Sequence, residues 1–270
     1  MSRERAIAVI DSGVGGLTVA KEVMRQLPEE RIVYVGDNAR CPYGSKSPEE
    51  IRAYSFQMID YVMRTPLKAL VIACNTATAV VLEEVMEDLP LPVIGVIEPG
   101  ARAAVQVTKN GRVGVIGTET TIRTKAYERA LLRIQPDLYV SGMACPAFVP
   151  LVEGHMANSE EARRVVKETL APFLHEDLDT LILGCTHYPL LAPVISEVMG
   201  DRVRLINSAE ETARELSLQI ATDAESKQIE RPKHLFVTSG EAHKFRTIAE
   251  EWLDCKVNVQ HNSLEKTVQP

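Results

Sequence analysis

Two cysteines, Cys74 and Cys185, each close a short apolar run, Leu70-Val71-Ile72-Ala73 and Leu181-Ile182-Leu183-Gly184. Each is followed by residues that can hydrogen-bond, Asn75-Thr76 and Thr186-His187. A thiol has an ordinary pKa of about 8.5, so one thiolate and one thiol can coexist near neutral pH with modest tuning. Such a pair has a specific use. Inverting a carbon centre by moving a proton needs a base on one face and an acid on the other, because a single group tends to return the proton where it came from. Tuning requires a partner for each thiol, and Asp11 and His187 are of the right type to take or return a thiol proton. A single cysteine at a strand end reads first as a small core hydrophobe. Two at equivalent positions of a repeat favour chemistry.

The repeat itself is legible along the chain. Residues 6–10 are apolar and end in Asp11-Ser12-Gly13-Val14-Gly15-Gly16, after which residues 17–27 show helical periodicity up to Pro28. Residues 32–35, a loop over 37–44, a helix from about 48 to 63 and a β-rich run over 69–73 continue the alternation, which predicts a parallel sheet. Sliding the chain on itself brings residues 9–12 onto 115–118 and 32–36 onto 138–142, both at an offset of 106. Cys41-Pro42 falls on Cys145-Pro146 at 104, residues 70–74 on 181–185 at 111, and Val93-Ile94 on Leu205-Ile206 at 112. The reading is α/β: two similar parallel-sheet domains related by a pseudo-twofold axis, with a cleft between them.

The first domain is expected over residues 1–97 and the second over 98–206, with Glu98-Pro99-Gly100 marking the crossing. The remaining 64 residues hold a strand over 234–238, a helix near 241–253 and a terminal strand around 257–259. They are too few to copy the domain again, so the chain is expected to cross back near Asn207 and complete the first domain with residues 207–270. Residues 228–233 read as the one long polar loop. Ligands of an open parallel sheet bind outside the carboxyl ends of its strands. Asp11, Asp37, Cys74, Thr118 and Cys185 all fall there, which sets Cys74 and Cys185 on opposite walls of one cleft.

Composition narrows the function classes. Thirty Lys and Arg against 37 Asp and Glu leave a net charge of −7 over 270 residues, so nucleic acid is not an expected partner. The longest apolar stretches are far shorter than a membrane span, and Asp11 interrupts the first apolar run too early for a secretory signal, so a cytoplasmic protein is expected. The five cysteines, at 41, 74, 145, 185 and 255, form an odd set without close-spaced pairs, which argues against a disulfide framework and against zinc ligand pairs. Gly13, Gly15 and Gly16 make half of a dinucleotide fingerprint whose third position is Thr18, and such a turn can equally hold a carboxylate on its amides. Glu83, Glu84, Glu87 and Asp88 read as a solvated helix face, and the histidines at 155, 175, 234, 243 and 261 as scattered surface residues. Glu153 is a surface carboxylate unless its loop reaches the cleft, where it would assist as an acid.

Together, Asp11-Ser12-Gly13-Val14-Gly15-Gly16-Leu17, Asp37 with Pro42-Tyr43-Gly44, Cys74-Asn75-Thr76-Ala77 and Gly184-Cys185-Thr186-His187-Tyr188-Pro189 resemble the glutamate racemases, over residues 6 to about 210. Ser45-Lys46 departs from the Pro-Arg expected in many relatives. The resemblance implies a cofactor-independent enzyme that interconverts L- and D-glutamate and supplies the D-isomer for bacterial peptidoglycan. It implies that Cys74 deprotonates D-glutamate and Cys185 L-glutamate, with Asp11 and His187 as their respective partners and Asp37 and Glu153 assisting. It places Ser12, Pro42, Tyr43, Gly44, Asn75, Thr76, Thr118, Thr121 and Thr186, with Asp11, His187 and the two thiols, around the substrate. A homodimer is expected by the same analogy. Hinge motion near Glu98 and Asn207 is expected from the need for a closed site. A related decarboxylase would use one thiol, and a glutamate-binding module would need none.

Overall fold

The computed structural model describes residues 5–220 and 232–264. The chain runs β1 (Ala6–Asp11), α1 (Leu17–Gln26), β2 (Ile32–Gly36), α2 (Pro48–Val62), β3 (Leu67–Ile72), α3 (Asn75–Asp88) and β4 (Val93–Gly95). It continues with α4 (Ile97–Val107), β5 (Arg112–Gly117), α5 (Glu119–Arg123), α6 (Ala126–Ile134), β6 (Tyr139–Ala144), α7 (Phe148–Glu153), α8 (Glu160–Leu170), β7 (Thr180–Gly184), α9 (Ala192–Met199) and β8 (Arg204–Ile206). It ends with α10 (Ser208–Gln219), β9 (Leu235–Thr238), α11 (Ala242–Leu253) and β10 (Val259–His261).

The strands form two sheets, ordered β10-β9-β2-β1-β3-β4 and β6-β5-β7-β8, and every pairing is parallel. The winding β2-β1-β3-β4 recurs as β6-β5-β7-β8, which is the structural form of the sequence repeat. After β8 the chain returns, and β9 and β10 extend the first sheet beyond β2.

Parallel strands between helical layers are apolar on both faces, and the burial follows that rule. Ala6, Ala8 and Ile10 pack with Met58, Ile59 and Val62 of α2 and Val81 and Val85 of α3, while Ile7 and Val9 face Leu17, Ala20 and Val23 of α1 and Leu216 of α10. In the second sheet Leu181 and Leu183 pack with Val166 and Leu170 of α8, and Ile182 packs with Ala101 and Ala104 of α4. Helices α4 and α10, which follow the two crossings, pack against each other and are joined by the Arg102–Glu215 ion pair.

Two details differ from the sequence reading. Asp11 pairs in register with Gly36 and Gly117 with Ala144, so Gly36 corresponds to Ala144 rather than to Gly142. The slip is even, so it preserves which face each side chain occupies, and hydropathy alone could not detect it. The terminal strand begins at Val259, two residues beyond the expected position. Of the expected polar loop, residues 228–231 lie outside the described residues. Among the described residues, no helix is long and apolar enough to cross a membrane.

Leu181 is fully buried in β7, the strand that leads to Cys185. Leu181→Ala is expected to destabilise the protein by about 2–5 kcal/mol, read as a lower urea midpoint with an unchanged slope.

Candidate active site

β1 ends in Asp11, whose side chain is completely buried. A lone buried carboxylate is costly, and the turn that follows answers its charge with donors. The Gly13 amide donates to Oδ1 at 3.0 Å, the Gly16 amide also bonds the carboxylate, and the Thr186 hydroxyl donates to Oδ2 at 3.5 Å from the other half of the molecule. Burial raises Asp11 above the usual carboxylate range; the charge of His187 and these donors oppose the rise without cancelling it. Gly15 permits the approach between halves. A Cβ there would lie 2.2 Å from Thr186 Oγ1 and 2.6 Å from His187 Nδ1.

Cys74 occupies the N-cap position of α3, a place where side chains accept from the first helical amides. Its Sγ accepts from the Ala77 amide at 3.5 Å and donates to Ser12 Oγ at 3.5 Å. Burial, reinforced by the negative charge of Asp11, pushes the thiol up to about 12 in spite of these bonds. Cys74 is therefore a protonated thiol at neutral pH. Asp11, its expected partner, acts on it through charge, whereas the hydrogen bonds come from Ser12 and Ala77.

Cys185 directly follows β7 in the second half, and no α-helix starts there. A short 3₁₀ turn, Tyr188–Leu191, intervenes before α9. The Tyr188 hydroxyl donates to the carbonyls of Gly117 and Cys145, at 3.1 and 2.8 Å, fixing this turn against the ends of β5 and β6. His187 Nδ1 lies 3.8 Å from Cys185 Sγ, and its Nε2 lies 3.0 Å from Glu153 Oε1. Burial would push the imidazole down from its ordinary 6.5. The contacts with Cys185 and Glu153, and the charge of Asp11, outweigh it and raise His187 to about 10. Glu153 is held below its ordinary range by its hydrogen bond to His187. The α7 end thus does reach the cleft.

A cluster of hydroxyls drawn from both halves lies two residues beyond Cys74 and directly after β5. Thr76 Oγ1 sits 2.8 Å from Thr118 Oγ1 and 3.4 Å from Thr121 Oγ1, and the latter two are 3.0 Å apart. Thr118 also caps α5, and the Gly44 carbonyl accepts from the amide and hydroxyl of Thr120 at 3.2 and 3.0 Å. The loop carrying Pro42, Tyr43 and Gly44 is thereby tied to the second half. Asn75 Oδ1 accepts from Tyr127 at 2.7 Å. Asp37 is completely buried, and its carboxylate accepts from Arg40, Tyr43 and Ser239. It braces the loop that presents Tyr43 and makes no hydrogen bond to either thiol.

Three neighbours of the site were not singled out from sequence. Cys41 Sγ lies 3.8 Å from Glu153 Oε1, the Trp252 ring meets His187 edge-on with 6.4 Å between centroids, and Tyr127 reaches Asn75. Cys41 carried a weak signal through its match with Cys145. Trp252 and Tyr127 carried none, because each is far along the chain from what it touches. Two buried thiols at equivalent strand ends, each with its own hydrogen-bonding neighbour, are the kind of pair that can remove a proton from one side of a carbon and return one from the other.

The sequence profile of the Asp/Glu/Hydantoin racemase family matches residues 7–216. A glutamate racemase from Bacillus cereus is 54% identical over 271 residues, covering 98% of this chain and 100% of the relative. Among solved structures, the glutamate racemase isoform RacE1 from Bacillus anthracis superimposes with a TM-score of 0.92 at 49% identity, covering 96% of this chain and 98% of that one. A Francisella tularensis glutamate racemase in complex with D-glutamate superimposes with a TM-score of 0.90 at 33% identity, covering 97% and 99%.

The Glu153–His187 contact has a defined pH signature. A base raised from 6.5 to about 10 contributes stability that is complete below the unfolded value and is lost as pH climbs through the folded one. Glu153, lowered from 4.5, contributes above that value and loses its contribution as pH falls. Glu153→Gln is therefore expected to lower the His187 pKa in an imidazole ¹⁵N NMR titration. Its stability deficit should be largest between the two ordinary values and shrink towards pH 10.

Proposed function

The chain belongs to the Asp/Glu/Hydantoin racemase family, and on that premise we propose that it interconverts L- and D-glutamate by passing the α-proton between Cys185 and Cys74 without a cofactor. The observation that carries the reading is the pair of buried thiols at equivalent strand ends of the two halves, each with its own proton partner. The names of the relatives supply the substrate: they are glutamate racemases, one of them in complex with D-glutamate.

For L-glutamate, Cys185, its proton given up to His187 Nδ1 at 3.8 Å, takes the α-proton, and the electron pair left on Cα spreads into the α-carboxylate. The Cys74 thiol, protonated because burial and Asp11 hold its pKa near 12, gives its proton to the opposite face. Cys185 is then a thiol and Cys74 a thiolate, which is the starting state for D-glutamate. Recharging moves a proton off Cys185 through His187, with Glu153 steadying the imidazolium, and back to Cys74 beside Ser12. The α-proton is weakly acidic, so the developing charge needs donors already in place in a site with little water. Ser12, Asn75, Thr76, Thr118, Thr121 and Thr186, the Gly44 backbone and the first amides of α3 supply them. Asp11 offers the ammonium a carboxylate, and Asp37 holds Tyr43 and its loop in position.

The same reading assigns residues 1–97 with 207–270 to one domain and 98–206 to the other, hinged near Glu98 and Asn207. It gives the enzyme a cytoplasmic, homodimeric form that supplies D-glutamate for peptidoglycan. Hinge closure is expected to shrink the radius of gyration by small-angle scattering on adding D-glutamate, and superimposable profiles would count against it.

The decisive test is L-glutamate in deuterated buffer without added cofactor, followed by circular dichroism and by the α-proton NMR signal. Ellipticity should decay to zero, with deuterium entering mainly the D-isomer early in the reaction. Cys74→Ala and Cys185→Ala are each expected to lose about 10²–10⁴-fold or more in both directions. Either variant retaining near-normal two-way turnover would sink the two-thiol scheme. Tight glutamate binding with no exchange would point to a binding module instead.

A further inference from the structure

Asn75 directly follows Cys74, and its amide is worth little as an anion donor unless it is turned the right way round. The only described neighbour that fixes it is Tyr127, from α6 in the other half of the molecule, whose hydroxyl donates to Asn75 Oδ1 at 2.7 Å. The Ser208 side chain at the start of α10 lies beside the tyrosine on Gly100 and acts on its hydroxyl electrostatically. All three residues are buried, Asn75 at 3%, Tyr127 at 2% and Ser208 at 5% exposure. A hydroxyl has one proton to give. With the Tyr127 proton given to Asn75 Oδ1, the amide oxygen is engaged and both Nδ2 protons remain for a ligand.

The ring of Tyr127 is wedged as closely as its hydroxyl. A Cβ on Gly184, the residue before Cys185, would lie 3.0 Å from Tyr127 Cε2. A Cβ on Gly100 of α4 would lie 3.3 Å from the Tyr127 hydroxyl and from Cε1, and 3.1 Å from Ser208 Cβ. One side chain therefore touches the residue after Cys74, the residue before Cys185 and the helices that follow both crossings of the chain. No other described side chain is shown in contact with all four.

We propose that Tyr127 is a positioning residue of this site: it sets the Asn75 amide with its donors towards the substrate carboxylate and registers the two cysteine-bearing segments against the crossings. The inference rests on the racemase reading for its activity arm and is independent of it for its spectroscopic arm. Opening or closing near Gly100 and Ser208 changes the tyrosine's seat, and the change is passed to Asn75 through one hydrogen bond.

Tyr127→Phe tests it, since it removes the hydroxyl and keeps the ring. The expected result is a loss of at least about fivefold in kcat/KM, the scale of one hydrogen bond acting on a charged group. The loss must be equal in the two directions because the enantiomers have equal free energy. In an Asn75→Ala background the same change should cost less than about twofold, because the tyrosine acts through that amide. In the free protein the Asn75 side-chain ¹H–¹⁵N pair should shift in Tyr127→Phe, a readout that requires no turnover. A smaller loss in kcat/KM, losses that add in the double variant, or an unmoved Asn75 amide pair would overturn the proposal. If wild-type protein failed to racemise glutamate, the parent reading would fall while the amide signal still decided this one. Should Tyr127→Phe fail to fold, wild-type protein decides it: a nuclear Overhauser contact between the Tyr127 hydroxyl proton and the Asn75 side-chain amide supports the proposal, and an Asn75 side-chain pair with no such contact overturns it.

Discussion

A carboxylate with no access to water sits at the end of the first strand, and much of the site follows from accommodating it. Asp11 can stay there because glycine amides and the Thr186 hydroxyl bond to it, and because an imidazolium lies across the boundary between the halves. Those conditions require the turn after β1 to run against the backbone of Thr186 and His187, which the missing side chain of Gly15 allows. The same negative charge raises both Cys74 and His187. One buried group thus holds the two halves together and biases the protonation of residues on both sides.

Although the two halves repeat the same strand order, they treat their thiols differently. Cys74 caps a helix at once and takes an amide and a hydroxyl as neighbours, all neutral. Cys185 is separated from its helix by a 3₁₀ turn, and this extra length is where His187 sits. Burial and the charge of Asp11 keep the Cys74 thiol protonated, whereas the sulfur of Cys185 has an imidazole nitrogen 3.8 Å away. The repeated strand order accounts for why the two thiols follow equivalent strands, β3 and β7. Divergence of the segments after the strands accounts for why one is suited to start as acid and the other as base in the proposed reaction.

The halves meet through the packed helices α4 and α10 and, at the strand ends, through polar contacts: Thr76 with Thr118 and Thr121, Gly44 with Thr120, Asn75 with Tyr127, Thr18 with the Thr186 carbonyl. The hydrophobic clusters, by contrast, are largely confined to one half or the other. At the strand ends the boundary is polar, and hydroxyls and amides there can exchange protein partners for water at little net loss. A site that must admit a charged molecule and then exclude solvent needs that property.

Strand and helix positions, the duplication, and the gathering of Asp11, Asp37, Cys74, Thr118 and Cys185 at one end of the sheets were legible in the amino-acid sequence, because they follow from local periodicity and from matching apolar runs. The return of β9 and β10 to the first sheet was legible too, from the shortness of the last segment. Which side chain bonds which was not. Cys74 is held by Ser12 and Ala77 while Asp11 turns to Thr186; Asp37 is spent on Arg40, Tyr43 and Ser239; His187 leans on Glu153 and Trp252; and Asn75 depends on Tyr127. The two-residue slip of β6 escaped notice for a related reason, since even shifts leave the apolar pattern unchanged. Several of these pairings join residues that are 34 to 202 positions apart in the chain. They depend on rotamers and packing at a boundary that exists only once both sheets have formed.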